Sequence, residues 1–234
     1  MNVRDLGGLP LDGGGETRHR VVVRADDVAG LSGGGWRSLD EYGVQRVVDL
    51  RWADEAAEDA PRDVEIEVVS VPLFGEGRAG SFAEKYDGYL DGVRDPVDWY
   101  RWAYREALAE FRPRFARAVS AIATAPGTAV VHCAGGKDRT GLVCALVLRL
   151  AGVPADAVVD DWALSEQSWA QDSVSWIADA PDDVERHRRR VFSVAPPAAM
   201  RELLADLYAR GYLEGAGVPA AELDLLRARL RGES

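Results

Sequence analysis

Cysteine is almost missing from this chain. Its 234 residues carry only Cys133 and Cys144, too few for a disulfide framework, so the fold is expected to tolerate a reducing compartment. Histidine is nearly as scarce: His19, His132 and His187 lie far apart with no paired-ligand spacing, so neither a metal centre nor any other cofactor is expected. Of 28 basic side chains only Lys85 and Lys137 are lysines, and the formal net charge is -11. That balance excludes general attraction to nucleic acid or to an anionic membrane surface, so any affinity for phosphate must be local. Apolar runs are short as well. None reaches the ~18 to 20 residues that span a bilayer, and Met1 to Asp5 lacks an apolar signal core. A cytoplasmic protein without integral membrane association is the expectation. No Pro/Ser-rich linker or compositional break divides the chain, and 47% of its residues are hydrophobic, which predicts one globular domain over 1–234.

Short β-branched runs bounded by turn residues, at Val21 to Val23, Val44 to Leu50, Ile66 to Val71 and Thr128 to His132, read as strands. Val97 to Phe111 and Pro113 to Ala123 carry apolar residues at helical spacing before the Pro126-Gly127 break. Strands alternating with helices predict an α/β fold, a central mainly parallel sheet flanked by helices. Ala129-Val130-Val131 is apolar without alternation, as in a strand covered on both faces. Thr140 to Ala151 is an apolar helix in which only Arg149 needs a polar partner, and the C-terminal part from about 153 reads as helical, with stretches at Pro197 to Arg210 and Pro219 to Leu230. Gly13 to Gly15 and Gly33 to Gly35 read as turns or mobile connections, and the glycine-rich, acidic stretch 74–95 as a candidate lid.

Between that strand and that helix lies His132-Cys133-Ala134-Gly135-Gly136-Lys137-Asp138-Arg139-Thr140-Gly141. A strand that turns into a helix here leaves several backbone amides free to converge on one anion, and the helix dipole adds to them. Gly135 and Gly136, lacking Cβ, permit close approach to phosphate oxygens. Arg139 offers two parallel donors to the equatorial oxygens of a phosphoryl group in transfer. The same positive surroundings favour the thiolate of Cys133, the nucleophile of a two-step, metal-free transfer through a phosphocysteine. Thr140 is placed to serve the thiolate, and His132 to fix the loop through its ring nitrogens. The substrate-contact set is then Ala134, Gly135, Gly136, Lys137 and Arg139. The leaving oxygen needs a proton, for which Asp138 is the favoured donor, with Glu76, Asp87 and Asp91 as rivals on the candidate lid. Cys144 has no glycines or basic partner at the corresponding spacing and reads as an ordinary buried residue. Arg51 reads as an ion-pair partner of Asp49 or Glu55, and the run His187 to Arg190 as a solvated face neutralised by Asp182, Asp183 and Glu185.

This loop resembles that of the bacterial tyrosine phosphatase family carrying HCxxGKDRTG, relatives of the cysteine-dependent protein tyrosine and phosphoinositide phosphatases. The opening Asn2-Val3-Arg4-Asp5-Leu6-Gly7-Gly8 is similar to that family's N-terminal signature. Asp49-Leu50-Arg51 with Glu55 and Val158 to Trp162 match further segments. The resemblance implies a protein tyrosine phosphatase-like fold, Cys133 as nucleophile, Arg139 as phosphate clamp, and Lys137 and Asp138 in catalysis or substrate choice. Where the family reads arginine then serine, this chain has Arg24-Ala25, and after the third strand it has Gly75-Glu76 where some members place an aspartate. Substrates implied are phosphotyrosine, with phosphoserine or phosphothreonine beside it, or phosphoinositides. The competing reading of another class is a non-catalytic phospho-ligand binding module.

Overall fold

The structure, a computed structural model, describes residues 2–56, 64–76, 89–90 and 95–233. Most of the candidate lid, with Asp87, Asp91 and Lys85, lies outside the described residues. Strands β1 (Arg4–Asp5), β2 (Val22–Ala25), β3 (Val44–Asp49), β4 (Glu67–Ser70) and β5 (Thr128–His132) form one sheet in the order β1-β2-β5-β3-β4. All neighbours run parallel except β1, which pairs antiparallel with β2. The α/β expectation holds. β1, missed in the sequence, is two residues long, too short to show a period.

β5 sits between β2 and β3, and every one of its residues is buried. Side chains alternate across a strand. Val130 therefore joins Val23, Val47 and Trp36 on one face, while Ala129 and Val131 enter the larger apolar cluster on the other. This two-sided cover is why the run lacks alternation. The first face is closed by helix α1 (Gly33–Tyr42), in which Ser32 accepts from the Gly35 amide and Trp36 is buried. Gly33 to Gly35 thus form the first turn of a helix, a correction to their reading as a connection: a serine cap and one buried tryptophan outweigh the helix-breaking tendency of glycine.

The second face carries α3 (Pro96–Glu110), α4 (Arg112–Ala123) and α5 (Asp138–Ala151); the short α2 (Ala53–Ala56) follows β3. α5 is buried along nearly its whole length and stops at Gly152 in a left-handed cap with φ 89°. Arg149 finds its partner in the Val153 carbonyl at 2.6 Å. The C-terminal third is helical as expected: α6 (Ala155–Ala178), α7 (Asp183–Ser193), α8 (Pro197–Ala205), α9 (Ala209–Gly215) and α10 (Ala220–Arg231). The stretch read as one helix from Pro197 to Arg210 divides between α8 and α9. On α7, Arg189 of the run His187 to Arg190 pairs with Glu185 at 2.8 Å, and the neighbouring Arg186 pairs with Asp183.

Candidate active site

β5 delivers Cys133 to the carboxyl edge of the sheet, where the chain turns through Ala134 to Lys137 into α5. Cys133 is buried. Three successive carbonyls of the turn point outward to fixed donors. Ala134 O accepts from the Asp27 amide at 3.0 Å. Gly135 O accepts from Trp169 Nε1 at 3.0 Å and Asn2 Nδ2 at 3.2 Å. Gly136 O accepts from Arg24 Nη2 at 2.8 Å and Asn2 Nδ2 at 3.1 Å. In a planar trans peptide the following N–H points opposite to its carbonyl. The amides of Gly135, Gly136 and Lys137 therefore turn to the inner side of the loop, where the first amides of α5, which have no intrahelical acceptor, join them. The result is an anion cradle.

Both glycines are sterically required. Gly136 has φ +65°, and a Cβ there would come within 2.6 Å of Ala25 O and 2.7 Å of Asp26 N. At Gly135 a Cβ would stand 2.6 Å from Trp169 Cζ2. The elements behind the loop are locked to one another: Asp161 receives Arg4 Nε at 2.7 Å and Arg24 Nη1 at 2.5 Å, and Ser165 receives Arg24 Nη2 at 3.1 Å. Asp161, Ser165 and Trp169 follow one another at four-residue spacing on α6, so one face of that helix backs the loop.

Arg139 reaches Glu55 in a fork, Nη1 to Oε2 at 2.5 Å and Nη2 to Oε1 at 3.0 Å, with its guanidinium over the Trp52 ring at 4.5 Å. That pair uses two of the five N–H donors and sets the plane of the guanidinium. Burial pushes the Glu55 carboxyl up, but the bonds and charge of Arg139 outweigh it and hold Glu55 below the usual carboxylate range. Arg51 forms the ion pair expected for it, to Asp49 at 2.7 Å, and also reaches Asp27 at 3.1 Å and the Glu55 carbonyl at 3.4 Å. His132 sits beneath them, Nε2 3.5 Å from Asp49 and Nδ1 3.3 Å from the Cys133 carbonyl. Burial lowers its pKa despite the Asp49 charge.

The remaining loop residues divide. The Lys137 ammonium is buried and directed at Tyr100 Oη (2.5 Å), the Val194 carbonyl (3.0 Å) and the Phe192 carbonyl, at the end of α7. Its desolvation pulls its pKa down. The substrate contact expected of Lys137 is thus replaced, in this arrangement, by bonds to the protein's own carbonyls. Asp138 opens α5 with its carboxylate 34% exposed and takes the Tyr104 hydroxyl on Oδ1 at 2.6 Å. Thr140 Oγ1 is buried without a protein partner among the described residues. Glu76, the described rival acid, is held by Arg114 at 2.7 Å on the surface. Cys144 is a buried thiol pushed up to about 12 by desolvation.

The structure places Cys133, the cradle backbone, Asp138 and Arg139 on one turn, with His132 beneath it and the Lys137 ammonium directed away to the end of α7. It adds residues that sequence reasoning passed over: Trp52, Tyr100, Tyr104, Ser165 and Trp169, with Asp27 as an acceptor for Arg51. Their signal is tertiary. Asn2 and Trp169 meet the loop across 133 and 34 positions, separations at which no local pattern speaks. Among the described residues no three metal-ligating side chains gather, and no helix is long and apolar enough to cross a membrane.

A mainly parallel sheet that presents a cysteine and a fork-held arginine around an anion cradle defines a phosphate-handling α/β protein. The model of the tyrosine phosphatase family matches residues 1–232, and the chain belongs to that family. It is 29% identical over 228 residues to the tyrosine-protein phosphatase of Nostoc commune, covering 90% of this chain and 74% of that one. It is 27% identical to the triple specificity protein phosphatase PtpB of Mycobacterium tuberculosis, covering 90% and 91%. The chain is therefore a hydrolase of the protein tyrosine phosphatase type.

Proposed function

We propose that the chain hydrolyses phosphotyrosine on proteins through a covalent phosphocysteine, with no metal ion taking part. The Cys133 thiolate attacks phosphorus; the S–P bond forms as the ester P–O bond breaks, and Asp138 gives its proton to the departing phenol oxygen. Water then attacks the phosphocysteine, the S–P bond breaks, and the Asp138 carboxylate takes up the water proton. The amides of the cradle and the Arg139 fork meet charge on the equatorial oxygens as it develops. The observation that carries this reading is the outward turn of the Ala134, Gly135 and Gly136 carbonyls, which leaves donors alone to face an anion beside the cysteine.

The substrate class rests on Lys137. With its donors taken by the Phe192 and Val194 carbonyls and Tyr100 Oη, the Lys137 ammonium is committed to the protein rather than offered to a second phosphate. Among the described residues, part-exposed charged groups next to the loop include the carboxylates of Asp27, Asp138 and Glu55. Such surroundings favour one phosphate on an aromatic ring over a polyphosphorylated inositol. The relative named a tyrosine-protein phosphatase supports phosphotyrosine, and the triple specificity in the name of another keeps further phosphorylated substrates, phosphoserine and phosphothreonine among them, within the proposal.

Hydrolysis of p-nitrophenyl phosphate with EDTA present, for wild type and Cys133→Ser, tests the chemistry. Activity in the wild type alone is expected. Activity that EDTA removes, or that Cys133→Ser retains, overturns the mechanism; vanadate binding with no turnover would make the chain a phospho-ligand module. Faster turnover of a short-chain phosphoinositide than of a phosphotyrosine peptide overturns the substrate class.

A further inference from the structure

Asp138 has one oxygen engaged and one open. Tyr104 donates to Oδ1 at 2.6 Å, and Lys137 Nζ lies 3.9 Å from that same oxygen. Among the described residues no donor engages Oδ2. Tyr104 is itself fixed: it is 1% exposed, and its ring meets Tyr100 and Trp162 edge-on with centroids 5.4 Å and 5.9 Å away. Tyr100, one turn earlier on α3, receives the Lys137 ammonium. Two phenols four residues apart lie on one helix face, so α3 addresses two charged residues of the loop, Lys137 and Asp138, each through its own hydroxyl.

A carboxyl on a part-exposed side chain samples several rotamers, and proton transfer needs one of them. We infer that Tyr104 is a positioning residue for the reaction: by holding Oδ1 it presents Oδ2 to the leaving oxygen of the substrate. Tyr104 touches no reacting atom. Before transfer, Oδ2 carries the proton and Oδ1 accepts from the phenol. As the proton moves to the leaving oxygen, negative charge grows on the carboxylate, and the Tyr104 bond, which keeps its own proton, strengthens. An interaction that strengthens during the step lowers the barrier rather than merely tightening binding. The inference rests on the assignment of Asp138 as the acid.

Leaving-group dependence separates this role from packing. A phenolate leaving group, with a conjugate acid near pKa ~10, needs the proton, whereas 2,4-dinitrophenolate leaves without one. The comparison is kcat/KM for phenyl phosphate and 2,4-dinitrophenyl phosphate, since that ratio reports the first chemical step. General acids contribute about 10² to 10⁴-fold, so Asp138→Asn should lose about 100-fold or more on phenyl phosphate and little on the dinitro ester. Tyr104→Phe should lose about tenfold on the first and under about twofold on the second. Added to Asp138→Asn it should cost under about twofold more, because residues acting through one another are not additive. Tyr100→Phe, which removes a phenol as deeply buried, should lose equally on both esters, and circular dichroism checks that each variant folds. A Tyr104→Phe loss that is equal on both esters, or that persists in full without Asp138, overturns the positioning role while leaving the acid assignment standing. Equal losses for Asp138→Asn overturn the acid assignment and the inference with it.

Discussion

Replacing Arg24 by methionine removes the charged group that holds the loop from behind. Arg24 is fully buried, binds Asp161 at 2.5 Å and Ser165 at 3.1 Å, and donates to the Gly136 carbonyl at 2.8 Å. Breaking a buried pair costs about 3 to 5 kcal/mol when it strands a bare charge. Here Asp161 keeps Arg4 at 2.7 Å, so the expected loss is smaller, about 2 to 3 kcal/mol. For a domain of this size ~1 kcal/mol moves Tm by about 2 to 4 °C, which gives a fall of about 4 to 12 °C. The functional effect is separate. Gly136 O keeps the Asn2 amide at 3.1 Å but loses its charged donor, and a bond to a charged group contributes about 1.5 to 3 kcal/mol. Losing part of that constraint on the Lys137 amide should weaken vanadate inhibition about tenfold, equal to ~1.4 kcal/mol. Thermal melts with and without vanadate, beside inhibition constants, measure both. Arg24→Lys should fall between, since it keeps the charge without the fork. A destabilised Arg24→Met protein whose vanadate inhibition stays within twofold of wild type would refute the claim that the outward carbonyls orient the cradle.

Gly136→Ala should lower kcat/KM by about 100-fold, because a Cβ 2.6 Å from Ala25 O forces the loop to move and displacements near 1 Å cost that much. Gly13→Ala, at φ +91° with nothing within 4 Å, carries comparable backbone strain and should keep full activity; equal losses in the two would assign the effect to strain alone. Stability should also depend on pH through His132. Its folded pKa lies below its ordinary value because it is buried, so as pH falls below about 6.5 the unfolded chain takes up the proton first. Stability then rises with pH up to about 6.5 and is flat above, whereas the lowered carboxyls of Asp49 and Glu55 act below about 4.5. Urea midpoints between pH 5 and 7 should lose this slope in His132→Gln, and a slope that survives would contradict the assignment.

The parts that sequence revealed are those governed by local pattern. β5 reads as a doubly covered strand because burial on both faces leaves no polar position, and the loop reads as a phosphate cradle because nucleophile, glycines and arginine fall within ten residues. Glycine runs were harder. Gly13 to Gly15 take positive φ and turn the chain, whereas Gly33 to Gly35 are helical because Ser32 caps them and Trp36 anchors the helix, a difference set by neighbours rather than composition. The break between α8 and α9 at 206–208 has neither proline nor glycine to announce it. Least legible were the residues that hold the loop. Trp169, Tyr104 and Trp52 carry no local mark of this use, which depends on where α6, α3 and the turn after β3 bring them. A tyrosine at helical spacing carries no mark that tells a hydroxyl bound to Asp138 from one bound to a carbonyl.

The arrangement also explains how a chain of net charge -11 can hold a doubly charged anion. Among the described residues each arginine around the loop is matched by a carboxylate: Arg139 by Glu55, Arg51 by Asp49 and Asp27, Arg24 and Arg4 by Asp161. These pairs fix geometry while cancelling much of the long-range field, so no basic surface is needed. The attraction that remains is short-ranged, from backbone amides on the inner side of the loop and the donors of Arg139 that Glu55 leaves open. Donors of that kind act on an oxygen at about 3 Å and on little beyond it. A phosphate seated in the cradle meets them all, whereas a second phosphate on the same ligand would meet the carboxylates of Asp27 and Asp138 instead. On the proposed reading, selectivity for a single phosphate and tolerance of an acidic surface share one cause: the cradle is built from peptide dipoles, and the arginines around it among the described residues are already paired.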